Sequence, residues 1–554
     1  MTTAVTRQAA TARGAAPTST AGRRGRFAGT GALVRLALRR DRVLVPVWLA
    51  VFLATAVGQA ASVVALYPDA PSWHQLAESV NTNPSLLALY GRVLSDATAG
   101  GVALFKVGAF GAVLVGLLSI VLVVRHTRAE EDAGRTELLG STVVGRSAPL
   151  AAALIVVLGT DLALGLLTAA GLAGTGLDAA GSLAFGLGWA MTGMVFAGVA
   201  AVTAQVASVA RGATGLAGAV LAIAYVLRGA ADSSADGSLT WASWLSPVGW
   251  SQQVRPFAGE RWWVLGLGLA LTVALAVAAF RLVERRDLGA GLLPDRPGAA
   301  TAGRWLSDEV GLAWRLHRGT TVTWALAFAA LGSIVGGLVS NVAGFIDDAT
   351  LALLEKLGGT GTLVDAYLAT EWAFIGIFTA VFAVQAMLRL RGEETSGHGE
   401  PLLATALTRT RWAASHLLMS AGGAAVLLAI GGLAAGLSCA RAFDDPTMLG
   451  RMLQAAAVQL PAVLVLVGLT LAATALAPRW ASAISWGAVV AFLLLGELGP
   501  LLRLPQWAMD LSPFAHTPRL PAADFSWPPV LWLTAVGLGL IGVGLVGFRR
   551  RDLD

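Results

Sequence analysis

Apolar stretches of about 18 residues or more recur along most of the chain, separated by short polar segments. That length crosses the hydrocarbon core of a bilayer as an α-helix. The pattern predicts spans at about 43–66, 102–124, 148–172, 183–210, 212–228 and 263–281. A polar, proline-containing stretch follows, RLVERRDLGAGLLPDRPGAATAGRW. Further spans are predicted at about 321–341, 371–388, 412–438, 452–477, 480–499 and 527–547. The fourth and fifth are nearly continuous, with the turn placed at Arg211 and Gly212. The run Leu306, Val310, Ala313, Trp314 reads as an amphipathic interfacial helix before span seven, with Arg35 to Arg42 as its counterpart before span one.

Composition agrees with this class. Only 13% of residues are charged, against about 25% in soluble domains, and the mean hydropathy is +0.70. A transmembrane barrel would instead show short alternating segments. The expected fold is an all-α polytopic membrane protein of about 12 transmembrane helices, with the lipid bilayer as its first partner. The single cysteine, Cys439, rules out an internal disulfide and a zinc site of paired thiolates.

The net charge of +6 is almost all arginine, since Lys106 and Lys356 are the only lysines. These arginines gather beside the apolar spans, so topology accounts for them and no nucleic-acid partner is read. Arg35 to Arg42, Arg125 to Arg146, Arg281 to Arg286, Arg389 to Arg411, Arg479 and Arg549 to Arg551 all fall on one side if the number of spans is even. That side is the cytoplasm by the positive-inside rule, which predicts a plasma-membrane protein with both termini cytoplasmic. The opposite loops carry more acid, including Asp69, Glu78, Asp96, Asp347, Asp348, Glu355 and Asp365. Residues 1–27 read as a disordered cytoplasmic tail, 28–283 as a first six-span unit, 284–304 as a cytoplasmic linker and 305–554 as a second six-span unit.

The two halves repeat. At a constant offset of 263 residues, Arg128, Glu130, Glu131, Gly134, Glu137, Leu139, Thr142 and Arg146 match Arg391, Glu393, Glu394, Gly397, Glu400, Leu402, Thr405 and Arg409. Leu245-Ser246-Pro247 echoes Leu511-Ser512-Pro513, and Arg285-Arg286-Asp287-Leu288 echoes Arg550-Arg551-Asp552-Leu553. Each half has the same even number of spans, so the repeat is parallel, about an axis along the membrane normal. Glu130, Gly134 and Glu137 stand at i, i+4 and i+7, one face of a short surface helix that breaks near Gly140. A solvated loop obeying the positive-inside rule would need basic residues, not a matched set of acids. Two equivalent acidic helices look like docking sites for two copies of a partner.

Glu130-Glu131-x-x-Gly134-Arg135-Thr136-Glu137-Leu138-Leu139, then a polar stretch and Arg146 before span three, resembles the segment after the second span of type 2 ABC transporter permeases. The family's version reads roughly Glu-x-x-x-Gly-Thr-x-Glu-x-Leu, then Ser-Arg. The resemblance covers the chain as two fused units and is nearest to actinobacterial exporters of polyketide or polyether antibiotics, such as tetronasin-type exporters. It implies six spans per unit and a cytoplasmic coupling helix in each, formed by Glu130, Glu131, Gly134 and Glu137 and by Glu393, Glu394, Gly397 and Glu400. It also implies an outer segment at 229–262 that dips into the membrane. In the second copy His398-Gly399 replaces Arg135-Thr136, and Pro401 follows Glu400, so that coupling helix is expected to be shorter or kinked.

A phosphate-cradling loop needs Gly-x-x-x-x-Gly-Lys-Ser/Thr, and neither lysine follows a glycine. The chain therefore reads as a permease and not an enzyme, with no cofactor of its own. ATP and magnesium would be bound by two copies of a separate ABC ATPase subunit. Lys106, Asp161, Arg228, Glu371 and Glu497 lie in or near spans, where a charge lines a path or snorkels to an interface. Asp161 lies deepest and is a candidate, with Glu497, for a substrate or proton path. Trp241, Trp244 and Trp250 form either an interfacial belt or an apolar vestibule for a hydrophobic small-molecule substrate. The expected function is ATP-driven export of such a molecule. A proton-coupled secondary transporter, which also often has twelve spans in two halves, and a non-transporting scaffold are the alternatives.

Overall fold

The computed structural model describes residues 25–551 except 68, 83, 141–142, 235–237, 288, 294–299, 302, 304–305, 307, 345–360 and 499–504. The tail up to residue 24, much of the predicted linker, and Asp347, Asp348 and Glu355 lie outside the described residues. The described residues form helices and connecting turns without a strand. The chain divides into two compact units, Met1–Pro297 and Gly298–Asp554.

Unit 1 contains α1 (Thr30–Arg40), α2 (Leu44–Leu66), α3 (Ala70–Asn81), α4 (Pro84–Tyr90), α5 (Ala99–Ala103), α6 (Phe105–His126), α7 (Arg128–Asp132) and α8 (Arg135–Gly140). It continues with α9 (Ala148–Gly174), α10 (Ala179–Val206), α11 (Ala210–Ser233), α12 (Pro247–Gln253) and α13 (Trp263–Arg285). Unit 2 contains α14 (Glu309–Gly344), α15 (Gly361–Thr395), α16 (Gly399–Leu403), α17 (Arg409–Phe443), α18 (Thr447–Ala457), α19 (Leu460–Leu476), α20 (Ala481–Leu498), α21 (Gln506–Met509) and α22 (Trp527–Arg550). Among the described residues, 11 segments are long and apolar enough to cross a membrane, and α20 is a shorter apolar helix where the eleventh span was predicted. The protein is thus a polytopic all-α membrane protein.

Helical structure follows from the absence of water in the bilayer core, which forces backbone groups to pair within their own segment. Polar caps mark the ends. Asp178 accepts from the Gly181 amide at 2.8 Å to start α10, and Thr408 caps α17. In unit 1, α10 is the central helix and packs on α6, α9, α11 and α13. In unit 2, α18 and α19 occupy the same place in the order and pack on α15, α17, α20 and α22. The outer helices α2, α13 and α22 leave apolar faces exposed, such as Leu269, Val273, Leu531 and Trp532, as lipid-facing helices do.

Helix α9 meets α10 through glycine. A Cβ at Gly186 would lie 2.1 Å from the Gly165 carbonyl oxygen, and one at Gly165 would lie 2.6 Å from that of Gly186. Small residues permit such backbone contact between membrane helices. Gly186→Leu is therefore expected to lower the thermal midpoint by forcing apart packing worth about 1–3 kcal/mol. Fluorescence-detected size exclusion after heating measures this; an unchanged midpoint would refute the close contact.

Several boundaries differ from the sequence expectation. The turn between the fourth and fifth spans falls at residues 207–209, where Val209 is extended, not at Arg211-Gly212. It is fixed from outside, because Asp132 accepts from the Ala210 amide at 2.6 Å and caps α11. The interfacial helix expected before span seven is not separate: α14 runs unbroken from Glu309. In unit 1 the counterpart α1 is indeed distinct from α2. The tenth predicted span is two helices, α18 and α19, because Pro461 lacks the amide needed to continue the first.

Candidate functional site

The duplicated acidic segment is not one helix in either unit. In unit 1, α7 ends at Asp132 and Gly134 takes a φ of +69°. That left-handed conformation suits glycine and terminates the helix. Glu130 therefore lies on α7 and Glu137 on α8, and the single shared face expected from their spacing does not form. In unit 2 the acids Glu393 and Glu394 sit on the last turns of α15, Gly397 takes a φ of +74°, and Glu400 belongs to the five-residue α16. The helix that carries Pro401 has five residues, against six for α8 in unit 1.

The acids separate into three environments. Glu131 points into the unit. Its Oε2 accepts from Arg128 Nη1 at 2.8 Å and Arg286 Nη1 at 2.9 Å, and its Oε1 accepts from Arg286 Nη2 at 2.5 Å. Arg128 is fully buried and also donates to the carbonyls of Gly289 at 2.8 Å, Ala290 at 3.1 Å and Ser208. Arg286 donates to Gln205 Oε1 at 2.7 Å, and Arg146 donates to the Arg286 carbonyl. This interlock ties the end of α6 to the starts of α9 and α11 and to the ends of α10 and α13. Planar guanidinium forks suit this task, since each offers several donors at once.

Unit 2 repeats the arrangement. Glu394 is buried, lies 2.9 Å from Arg391 and contacts Arg551. Arg409 donates to the Arg551 carbonyl, and Arg551 donates to the Thr474 carbonyl at 2.5 Å. The Arg-Arg-Asp-Leu repeat noticed in the sequence thus supplies the partner of the acidic repeat in both units. Both motifs stand out in the sequence as repeats, but nothing in the sequence says that they meet.

Glu130 and Glu393 are intermediate. Glu130 accepts from Arg40 at 2.7 Å and from Arg135 at 2.8 Å, while Glu393 lies 3.4 Å from both Arg389 and His398. Glu137 and Glu400 are exposed, and neither forms an ion pair among the described residues. Among the described acids of the two segments, only these two leave the carboxylate uncommitted. A buried Asp41, 2.5 Å from His126 and 3.3 Å from Arg125, also braces this end of unit 1 and was not singled out in the sequence.

The transport-path candidates are scattered. Asp161 is buried among α6, α9 and α10, accepts from Ser119 Oγ at 2.8 Å, and leaves its second oxygen unpartnered. Gly193 makes the room, since a Cβ there would lie 2.6 Å from the carboxylate. Glu497 lies outside the residues whose side chains are described. At the other end of unit 1, Trp241 and Trp244 line a cavity of about 460 Å3. Trp250 is buried behind it and donates to the Trp244 carbonyl at 2.7 Å, and Trp244 stacks on Trp263 with centroids 5.4 Å apart. Arg228 is structural: it donates to the carbonyls of Leu87, Ala88 and Leu89 at 3.2, 2.8 and 3.0 Å.

Two bundles of apolar helices, each with its central helix and a charged interlock at one end, define a multi-pass membrane protein. A family model described as "Multidrug efflux system permease Rv1217c, C-terminal domain" matches residues 306–549. The multidrug efflux system permease protein Rv1217c of Mycobacterium tuberculosis (strain ATCC 25618 / H37Rv) is 45% identical over 537 residues, covering 95% of this chain and 96% of that protein. The chain belongs to this family of multidrug efflux system permeases.

Proposed function

We propose that this chain is the membrane-spanning subunit of an ATP-driven exporter of hydrophobic small molecules, built as two fused type 2 ABC permease units in the plasma membrane with both termini cytoplasmic. Two copies of a separate ABC ATPase, carrying ATP and magnesium, dock on the segments around Gly134 and Gly397. The relative's name, a multidrug efflux system permease, supports the efflux class, and polyketide or polyether antibiotics are the substrate class that the sequence resemblance favours.

The observation that carries the ATP reading is the pair of interlocked segments. Each is anchored internally by one glutamate, Glu131 or Glu394, and presents another outward, Glu137 or Glu400, beyond a left-handed glycine. An anchored segment with an exposed charged tip can pass a push from a bound subunit into the helices it is tied to. A proton-coupled carrier has no evident use for two of them.

The buried Asp161, with one oxygen unpartnered, is what favours the proton-coupled alternative. Uptake of one cationic and one anionic hydrophobic dye into inverted vesicles containing the permease and its candidate ATPase separates the two. Uptake is expected to require ATP, to fail with a non-hydrolysable analogue, to survive a protonophore, and to persist in Asp161→Asn. Uptake that follows the proton gradient and ignores hydrolysis would overturn the ATP-driven reading.

A further inference from the structure

The end of unit 1 remote from the interlock holds a cavity of about 460 Å3 whose charge is lopsided. Arg92, Arg255 and Arg261 line it, and among the described residues the one acid lining it, Asp232, lies 3.4 Å from Arg228 and also attracts Arg92. Among the described residues none of the three arginines forms an ion pair, and the Nε of Arg255 is buried without a hydrogen-bond partner. Arg92 is exposed and Arg255 and Arg261 are half-buried, so an anion entering the cavity would meet three guanidinium groups with several donors each.

A second, narrower cavity adjoins it and shares Arg92, Leu94 and Gln252 with it. Its remaining walls are largely apolar, with Phe105, Phe185, Trp189 and Phe257 among them. The turn between the two is strained: Arg255 and Phe257 have φ values of +55° and +59°, in the left-handed region that side chains disfavour. Such strain persists only where the surroundings over-determine it. Arg255 lines the arginine cavity and Phe257 lines the apolar one. Phe257 is wedged over Gly100 and Gly181, where a Cβ would stand 2.5 and 2.1 Å from the ring.

We propose that these adjoining cavities bind an anionic amphiphile, its carboxylate or phosphate held by Arg92, Arg255 and Arg261 and the start of its apolar chain lying against Phe105, Trp189 and Phe257. The indoles of Trp241 and Trp244 flank the head-group cavity, whose size falls within the roughly 300–1,000 Å3 of small-molecule sites; the apolar cavity, at about 70 Å3, takes only the first part of a chain. In the topology proposed above this is the outer face, so the occupant is either an outer-leaflet lipid or a molecule on its way out. The site deepens the efflux reading by naming a ligand class. Binding is measured without ATP, so its failure leaves ATP-driven export standing, and loss of ATP dependence leaves this site standing.

The test titrates dodecyl phosphate and dodecanol calorimetrically into the full chain in phosphatidylcholine nanodiscs, with empty nanodiscs subtracted. Dodecyl phosphate is expected to bind saturably at least tenfold more tightly than dodecanol, and to weaken as salt is raised. Arg255→Gln with Arg261→Gln should lose about tenfold for the phosphate and leave dodecanol unchanged; Arg92→Gln, on a different segment, should weaken it in the same direction. Phe257→Leu should weaken both ligands. Equal affinities for the two ligands, or arginine variants that bind as the parent does, would overturn the proposal. So would inorganic phosphate binding as tightly as dodecyl phosphate, because the apolar slot would then have no part. Nanodiscs containing phosphatidylglycerol tell the sources apart: a lipid site retains that lipid in native mass spectra and shows weaker apparent binding, whereas a substrate site shows neither, and either result keeps an anionic amphiphile in the cavity.

Discussion

Glu131→Lys is expected to remove most of the folded protein from the membrane, and Glu394→Lys to do the same. Arg128 has no exposed side-chain surface, Arg286 has 7% and Glu131 has 12%, so the cluster is shielded from water. Lysine at 131 would place a further cation between two buried guanidinium groups. A buried ion pair adds little net stability against apolar packing, but removing one partner costs about 3–5 kcal/mol because the other charge is stranded. That is a large part of the roughly 5–15 kcal/mol that holds a typical fold together. Glu131→Gln keeps an acceptor oxygen and should cost less, about 1–3 kcal/mol. Abundance and thermal midpoint of a fluorescently tagged permease, expressed without any ATPase, give the readout. The exchange Glu394→Arg with Arg551→Glu should recover part of what each single change loses, as coupled neighbours do. A Glu131→Lys protein of normal abundance and midpoint would show that the interlock carries no structural load.

This differs from the reading of these acids as a uniform docking face, and the reason lies in two residues. Spacing placed Glu130, Gly134 and Glu137 on one helical face, but Gly134 adopts a left-handed φ and ends the helix between them. The glycine was visible, and its freedom to stop a helix outweighed the periodicity around it. The inward turn of Glu131 was not legible, because its partner Arg286 lies 155 residues away in the chain. The spans were legible, since length and apolarity alone decide them in a bilayer. The aromatic outer segment was legible as Trp241, Trp244 and Trp250, yet its charge was not. Arg92, distant in sequence, joins Arg255 and Arg261 only when the helices pack. Asp41 and His126 were hidden in the same way, each appearing alone as a residue at the edge of a span.

Glu137→Lys combined with Glu400→Lys should have the opposite signature to the interlock variants: a normally folded permease that no longer holds the proposed ATPase. Both side chains are exposed, and neither is in an ion pair among the described residues, so the fold should shift by no more than about 0.5 kcal/mol. One exposed ion pair is worth about 0–1 kcal/mol. Reversal replaces that attraction with a repulsion of similar size, so each segment loses up to about 2 kcal/mol, near thirtyfold in affinity. In the proposed assembly the loss would fall on both docked copies, so the complete complex would suffer it twice. A tagged permease should therefore recover the ATPase in less than about a tenth of the parent amount, and dye export should fall with it. Raising salt should weaken the parent assembly in the same direction, because these contacts are open to screening. Single reversals should be milder and unequal, since Glu137 sits on a six-residue helix and Glu400 on a five-residue one. Full recovery of the ATPase by the double variant would reduce both tips to solvated loops. Glu130 and Glu393 could not take over that role, because they already lie against arginines of their own chain, and the docking proposal for these segments would fall.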